Sequence, residues 1–233
     1  MSKKKIIPSI IFIVLLLGMS LFPYLPILIF RINIDNLNNT LKVYYSLACD
    51  LGYMLIIYVI YRKTINKDFK NYFCNFKNNF RISIKYYLIG YFIMLISNSL
   101  IAIFFSEATS QNEDTIRMMI NLYPAYMLFS VGFYAPFVEE IIFRKSIKDA
   151  IYAFKENNTV KYIYIFISGF IFAGLHIIGL TTSPIDYIYI IPYLSLGIAF
   201  SALYVKTDNI FSTIVMHALH NLIAIMLYLG VGI

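Results

Sequence analysis

Tyr86-Tyr87-Leu88-Ile89-Gly90-Tyr91-Phe92-Ile93-Met94-Leu95-Ile96-Ser97-Asn98-Ser99-Leu100-Ile101-Ala102-Ile103-Phe104-Phe105 runs without one charged side chain. As a helix, a stretch of this length spans about 30 Å, the thickness of a bilayer's hydrocarbon core. Six more apolar stretches lie around it, at 6–30, 41–61, 119–143, 161–180, 187–205 and 209–231. The chain of 233 residues is 60% hydrophobic and 13% charged. A soluble domain of this size needs far more polar cover. The expected fold class is therefore all-α: a polytopic bundle of seven or eight membrane helices around a buried cavity.

Charge sets the expected topology. Lys3 to Lys5, the basic residues of 62–85 (Arg62, Lys63, Lys67, Lys70, Lys77, Arg81, Lys85), those of 144–161 (Arg144, Lys145, Lys148, Lys155, Lys161) and Lys206 fall on one side. They are sixteen of the nineteen basic residues. The other side keeps Arg31, Lys42 and Arg117 with Asp35, Glu107, Glu113, Asp114 and Asp186. Positive loops stay cytoplasmic, so the N-terminus is expected inside and, with seven spans, the C-terminus outside. The first stretch reads as an uncleaved anchor rather than a signal peptide, because its apolar run is long and no small-residue cleavage site follows. Pro8, Pro23 and Pro26 are expected to kink it. Pro124 and Pro136 open the possibility that 118–156 forms two membrane segments, which would give eight spans. Residues 1–117 are expected to form three N-terminal spans, and 118–233 the functional core.

Several classes are excluded or disfavoured. Two cysteines, Cys49 and Cys74, exclude a disulfide scaffold and a four-cysteine zinc site. The formal charge of +7 follows from topology, so nucleic acid is not an expected partner. The basic 62–85 stretch, with Tyr72, Phe73, Phe76 and Phe80 interleaved, reads as a loop lying on an anionic leaflet. Asn38-Asn39-Thr40 and Asn157-Asn158-Thr159 fit the glycosylation sequon, a pattern too short to carry weight.

The informative residues are polar groups at membrane depth, which are costly there and mark either function or paired packing. In Phe137-Val138-Glu139-Glu140-Ile141-Ile142-Phe143-Arg144, the i,i+4 spacing pairs Glu140 with Arg144. Glu139 lies about 100° around the helix, leaving it without the arginine. A desolvated carboxylate with no cation suits a general base, and an ion-pair cluster at a helix end is the equal alternative. In Phe172-Ala173-Gly174-Leu175-His176, the histidine is midway-symmetric with Glu139 about the polar turn Glu156 to Thr159. An antiparallel helix pair would put the two at one level. Ala173 and Gly174 are small enough for such helices to approach closely. In His217-Ala218-Leu219-His220-Asn221, His217 and Asn221 share a face and are able to donate into one cavity, as an oxyanion hole requires. Bundle hydrogen bonding is the alternative, and His220 is assigned only that. Asp50, alone in the second span, is expected to hydrogen-bond a neighbouring helix.

A carboxylate, a histidine beside it and two donors are the parts for amide hydrolysis inside a membrane. The same atoms allow a second recipe, in which Glu139, His176 and His217 bind a catalytic zinc. The lack of a close-spaced ligand pair favours the recipe without a cofactor. No His-Glu-x-x-His, Gly-x-Gly-Asp or Gly-x-Ser-Gly motif is present.

Glu139-Glu140-x-x-x-Arg144, Phe172-x-x-x-His176 and His217-x-x-x-Asn221, in that order on apolar segments, resemble the signature of the CPBP family of membrane proteases, also called Abi or Rce1-like. The resemblance covers about 135–225. It implies endoproteolysis of membrane-associated or lipidated peptides. It assigns Glu139 and His176 to water activation, and His217 and Asn221 to the oxyanion, with Glu140, Arg144 and Phe172 in support. It also leaves room for a metalloprotease assignment, and for members that act as scaffolds or bacteriocin-immunity proteins without turnover. A composition rich in Ile, Asn, Lys, Tyr and Phe points to an AT-rich prokaryotic source, and so to a bacteriocin, pheromone or signalling peptide as substrate. The alternative classes are a non-catalytic immunity or regulatory partner and, less favoured, a small transporter.

Overall fold

The computed structural model describes residues 3–105, 109–178 and 184–231. Every regular element among them is helical. Six helices are long and apolar enough to cross a bilayer, and a seventh span results if the first two helices are counted as one broken crossing. The chain is thus an integral membrane bundle.

Helix α1 (Lys3–Leu21) and α2 (Tyr24–Phe30) meet at 71°. The break falls at Pro23, as expected for a residue without a backbone donor, while Pro8 is absorbed inside α1. The Tyr45 and Tyr53 hydroxyls donate to the carbonyls of Pro23 and Leu15, tying the bent pair to α3 (Asn39–Cys74). After Asn75 the chain reverses into α4 (Phe76–Phe105). The expected loop at 62–85 is therefore a helical hairpin. Its basic residues are all exposed, while Tyr61, Ile65, Asp68 and Tyr72 form a continuous buried stripe that extends the helix past the bilayer. Charge confined to one face of a helix has the composition of a loop.

Helix α5 (Gln111–Leu122) is short and polar, and begins at an N-cap where Ser110 accepts from the Glu113 amide. The expected span at 119–143 is instead a single helix, α6 (Pro124–Tyr152). Pro124 occupies its first turn, where no amide donor is needed. Pro136 does not split it, because a π-helical turn at Ser130–Tyr134 precedes it and widens the backbone where the proline lacks its donor. A second π turn spans Ile141–Ser146. Among the described residues, eight spans are thus not formed. Helix α7 (Asn158–Leu175), α8 (Ile190–Thr207) and α9 (Ile210–Val231) complete the bundle. Both sequon asparagines, Asn38 and Asn157, serve as N-caps, accepting from Leu41 and Val160 amides. Glu107, expected on the less basic side, lies outside the described residues.

Helix α6 is the central element: Val138, Ile141, Ile142 and Phe143 are buried on every side of it. Outward faces elsewhere are apolar, with Leu28, Ile103 and Phe104 more than 70% exposed, as lipid contact demands. Helices α7 and α8 cross in backbone contact. A Cβ added at Gly197 would lie 2.8 Å from the Gly169 carbonyl oxygen. The close approach of α7 to α6 expected at Ala173 and Gly174 is not made at Gly174, where an added Cβ would meet only Ile178, at 3.5 Å.

Candidate active site

The α turn Ala135–Glu140 lies between the two π turns and presents Glu139 and Glu140 in different directions. Glu140 turns into the core and is fully buried. Arg144, also fully buried, meets it with two nitrogens, Nε to Oε2 at 2.9 Å and Nη2 to Oε1 at 3.3 Å. Arg144 Nη1 reaches Ser168 Oγ of α7 at 3.1 Å and Ser201 Oγ of α8 at 3.4 Å. Ser201 Oγ donates to Ser168 Oγ, which donates to the Phe143 carbonyl. The Arg144 guanidinium also lies 4.7 Å from the centroid of Phe172. Three helices are thus fastened at one level by one cation, directly beside the Gly169–Gly197 crossing. Arg144 therefore does not belong with the solvated charges of the basic side. Lys145 and Lys148 pair with Asp149 and Asp208 nearer the chain's basic end.

Glu139 faces the opposite way, toward two imidazoles. His176 Nε2 and His217 Nε2 each lie 3.9 Å from Glu139 Oε2. That oxygen is shielded and takes no hydrogen bond from the described residues. The antiparallel α6–α7 pairing thus brings Glu139 and His176 together. His176 Nδ1 sits 2.8 Å from the Phe172 carbonyl oxygen, and His217 Nδ1 sits 2.9 Å from Glu140 Oε1. A carbonyl or carboxylate oxygen only accepts, so each Nδ1 carries a proton. In a neutral ring, each Nε2 then offers a lone pair toward Glu139. Phe172 packs against the whole group, with centroids 4.4 Å from His176 and 5.8 Å from His217. Glu140 and Arg144 close one end of the site. Glu139 and His176 keep 17% and 19% of their side-chain surfaces accessible, so the approach lies away from Arg144.

Asn221 Nδ2 donates to the Val131 carbonyl at 2.8 Å, inside the first π turn. His220 contacts Tyr87 at 3.2 Å, away from Glu139. Asp50 accepts from the Tyr126 hydroxyl at 3.0 Å, so it links α3 to the start of α6. Ser168, Ser201 and the π turns have no signal in the sequence. A serine in an apolar helix usually bonds its own backbone.

Zinc ligands at about 2.0–2.2 Å in a tetrahedral shell lie about 3.3–3.6 Å from one another. The 3.9 Å separations between Glu139 and the two histidines exceed that. Among the described residues, no three His, Cys, Asp or Glu side chains are grouped to hold a metal ion.

The model of the type II CAAX prenyl endopeptidase Rce1-like family matches residues 121–223. The chain is 27% identical over 191 residues to the putative membrane peptidase YdiL of Bacillus subtilis (strain 168), covering 78% of this chain and 69% of that one. It is 29% identical over 136 residues to the membrane-embedded CAAX protease MroQ of Staphylococcus aureus (strain USA300), covering 58% and 51%. The match to the second relative therefore spans about half of its length. No solved structure matches the chain.

Proposed function

We propose that the chain, whose residues 121–223 match the Rce1-like family model, is an intramembrane endopeptidase acting on a membrane-associated or lipidated peptide. The observation that carries this reading is the convergence of His176 Nε2 and His217 Nε2 on Glu139 Oε2.

Glu139 Oε2 and His176 Nε2 are two acceptors at a distance that one water molecule bridges by donating to both. Glu139 takes a proton from that water as its oxygen attacks the scissile carbonyl carbon. The carbonyl π electrons move to oxygen, forming a tetrahedral oxyanion. His217 is the donor to that oxyanion. With Glu140 Oε1 accepting from Nδ1, the donor to the oxyanion is an N–H at Nε2. Collapse of the intermediate breaks the C–N bond, and Glu139 returns the proton to the departing amine. Asn221 contributes by holding Val131, and with it the π turn that aims Glu139. The second N–H of the same amide is left for the oxyanion. Each step uses side chains of this chain, and no cofactor is assigned to it.

The test compares peptide termini by mass spectrometry in cells expressing the wild type or Glu139→Gln at matched membrane levels. A terminus generated only by the wild type is the expected result and identifies a substrate. Identical termini, with any immunity or signalling phenotype kept by the variant, would replace this reading with a non-catalytic membrane partner.

A further inference from the structure

The aromatic residue that stacks on His176 from α8 belongs to none of the three motifs. The ring of Tyr193, on the first turn of α8, stacks on His176 with centroids 4.8 Å apart and planes 28° from parallel. Its hydroxyl is held at two points. Ser110 Oγ lies 3.0 Å away, and Asn112 Nδ2 donates to it at 3.1 Å. Ser110 is itself 3% exposed and is the N-cap of α5. The phenol is thus fixed at its far end by α5, and at its face by the imidazole.

His176 needs such a fixture. It is the residue after the last helical turn of α7, where the chain leaves regular structure. Its Nδ1 bond to the Phe172 carbonyl holds one point of the ring. A ring held at one point still swings about that bond, and a swing moves Nε2 away from Glu139. Phe172 packs against the imidazole at 44° and Tyr193 at 28°. The two aromatic rings leave one orientation, the one in which Nε2 faces Glu139.

We propose that Tyr193 is a positioning residue for His176, and that Ser110 and Asn112, which precede the family-matched segment, extend the site onto α5. The inference rests on the proposed role of His176, but its test needs no turnover. The chain has three histidines, His176, His217 and His220. Their rates of carbethoxylation by diethyl pyrocarbonate are measured residue by residue, by mass spectrometry, on the full chain in detergent micelles. In Tyr193→Leu, the rate at His176 is expected to rise about twofold to tenfold relative to His220, the range that loss of an aromatic pair converts to. Tyr193→Phe keeps the ring, and is expected to restore the wild-type ratio to within about twofold by the same scale. The double variant Ser110→Ala/Asn112→Ala, which strips the same two hydrogen bonds from the ring's far end, is expected to match Tyr193→Phe. An unchanged ratio in Tyr193→Leu overturns the proposal. So does a parallel rise at all three histidines, which would assign Tyr193 to general packing, or a failure of Tyr193→Phe to restore protection. Wild-type cleavage could be absent and this result would still stand.

Discussion

At the scale of single residues, the decisive placement is Arg144, a fully buried cation with partners on its own helix, on α7 and on α8. The i,i+4 spacing predicted its pairing with Glu140, and the pairing follows from helix geometry alone. Its burial did not follow, because a basic residue at the end of a proline-interrupted apolar run reads equally well as a boundary marker. Removing one member of a buried ion pair leaves the other charge uncompensated. Arg144→Met is therefore expected to destabilise the fold by about 3–5 kcal/mol. Glu140→Gln combined with Arg144→Met leaves no lone charge, and the amide oxygen that replaces the carboxylate still offers His217 an acceptor. The double variant is expected to recover most of that loss. Thermal unfolding in detergent, read for wild type, single and double variants, checks it. A double variant no more stable than the single one would show that the pair is not what holds α6 against α7 and α8.

At the scale of elements, the crossing of α7 and α8 brings backbone against backbone at Gly169 and Gly197. Gly197→Ala drives a methyl group against the Gly169 carbonyl. It is expected to cost about 1–3 kcal/mol, as overpacking does. Because Ser168 and Ser201 flank this contact, the same change shifts the hydroxyls that hold Arg144. Gly230→Ala meets no atom within 4 Å and is the matched control, expected within about 0.5 kcal/mol of wild type. Thermal unfolding of the two variants side by side decides the matter; equal midpoints would mean that the crossing yields without strain. The elements also mark where the sequence was readable. Spans at 41–61 and 86–105, and the antiparallel pairing that brings Glu139 to His176, followed from hydropathy and helical rise. The π turns did not, because a single extra residue per turn leaves no periodic trace. They decide why Pro136 does not interrupt α6. They also place the Val131 carbonyl that Asn221 meets.

At the scale of the whole molecule, the basic ends of the helices gather on one side. The α3–α4 hairpin carries its seven exposed Lys and Arg residues there, and Asp68 on its buried stripe accepts from the Ile210 amide at 3.0 Å. That bond caps α9, the helix bearing His217, so the hairpin and the site are mechanically joined. If positive charge stays inside, this whole face is cytoplasmic, and the approach to Glu139, lying away from Arg144, faces the other way. The chain contains its own reporter for this orientation. Cys74 is exposed at the hairpin tip, and Cys49 is 5% exposed in the body of α3. A membrane-impermeant maleimide added to intact cells, with the outer wall removed, is expected to leave both cysteines unmodified. The same reagent on inside-out vesicles is expected to label Cys74 and spare Cys49, with Cys74→Ser abolishing the signal. Labelling of Cys74 in intact cells would reverse the topology. It would also turn the approach to Glu139 toward the cytoplasm, so that a peptide would have to reach the site from within the cell rather than from the outer face.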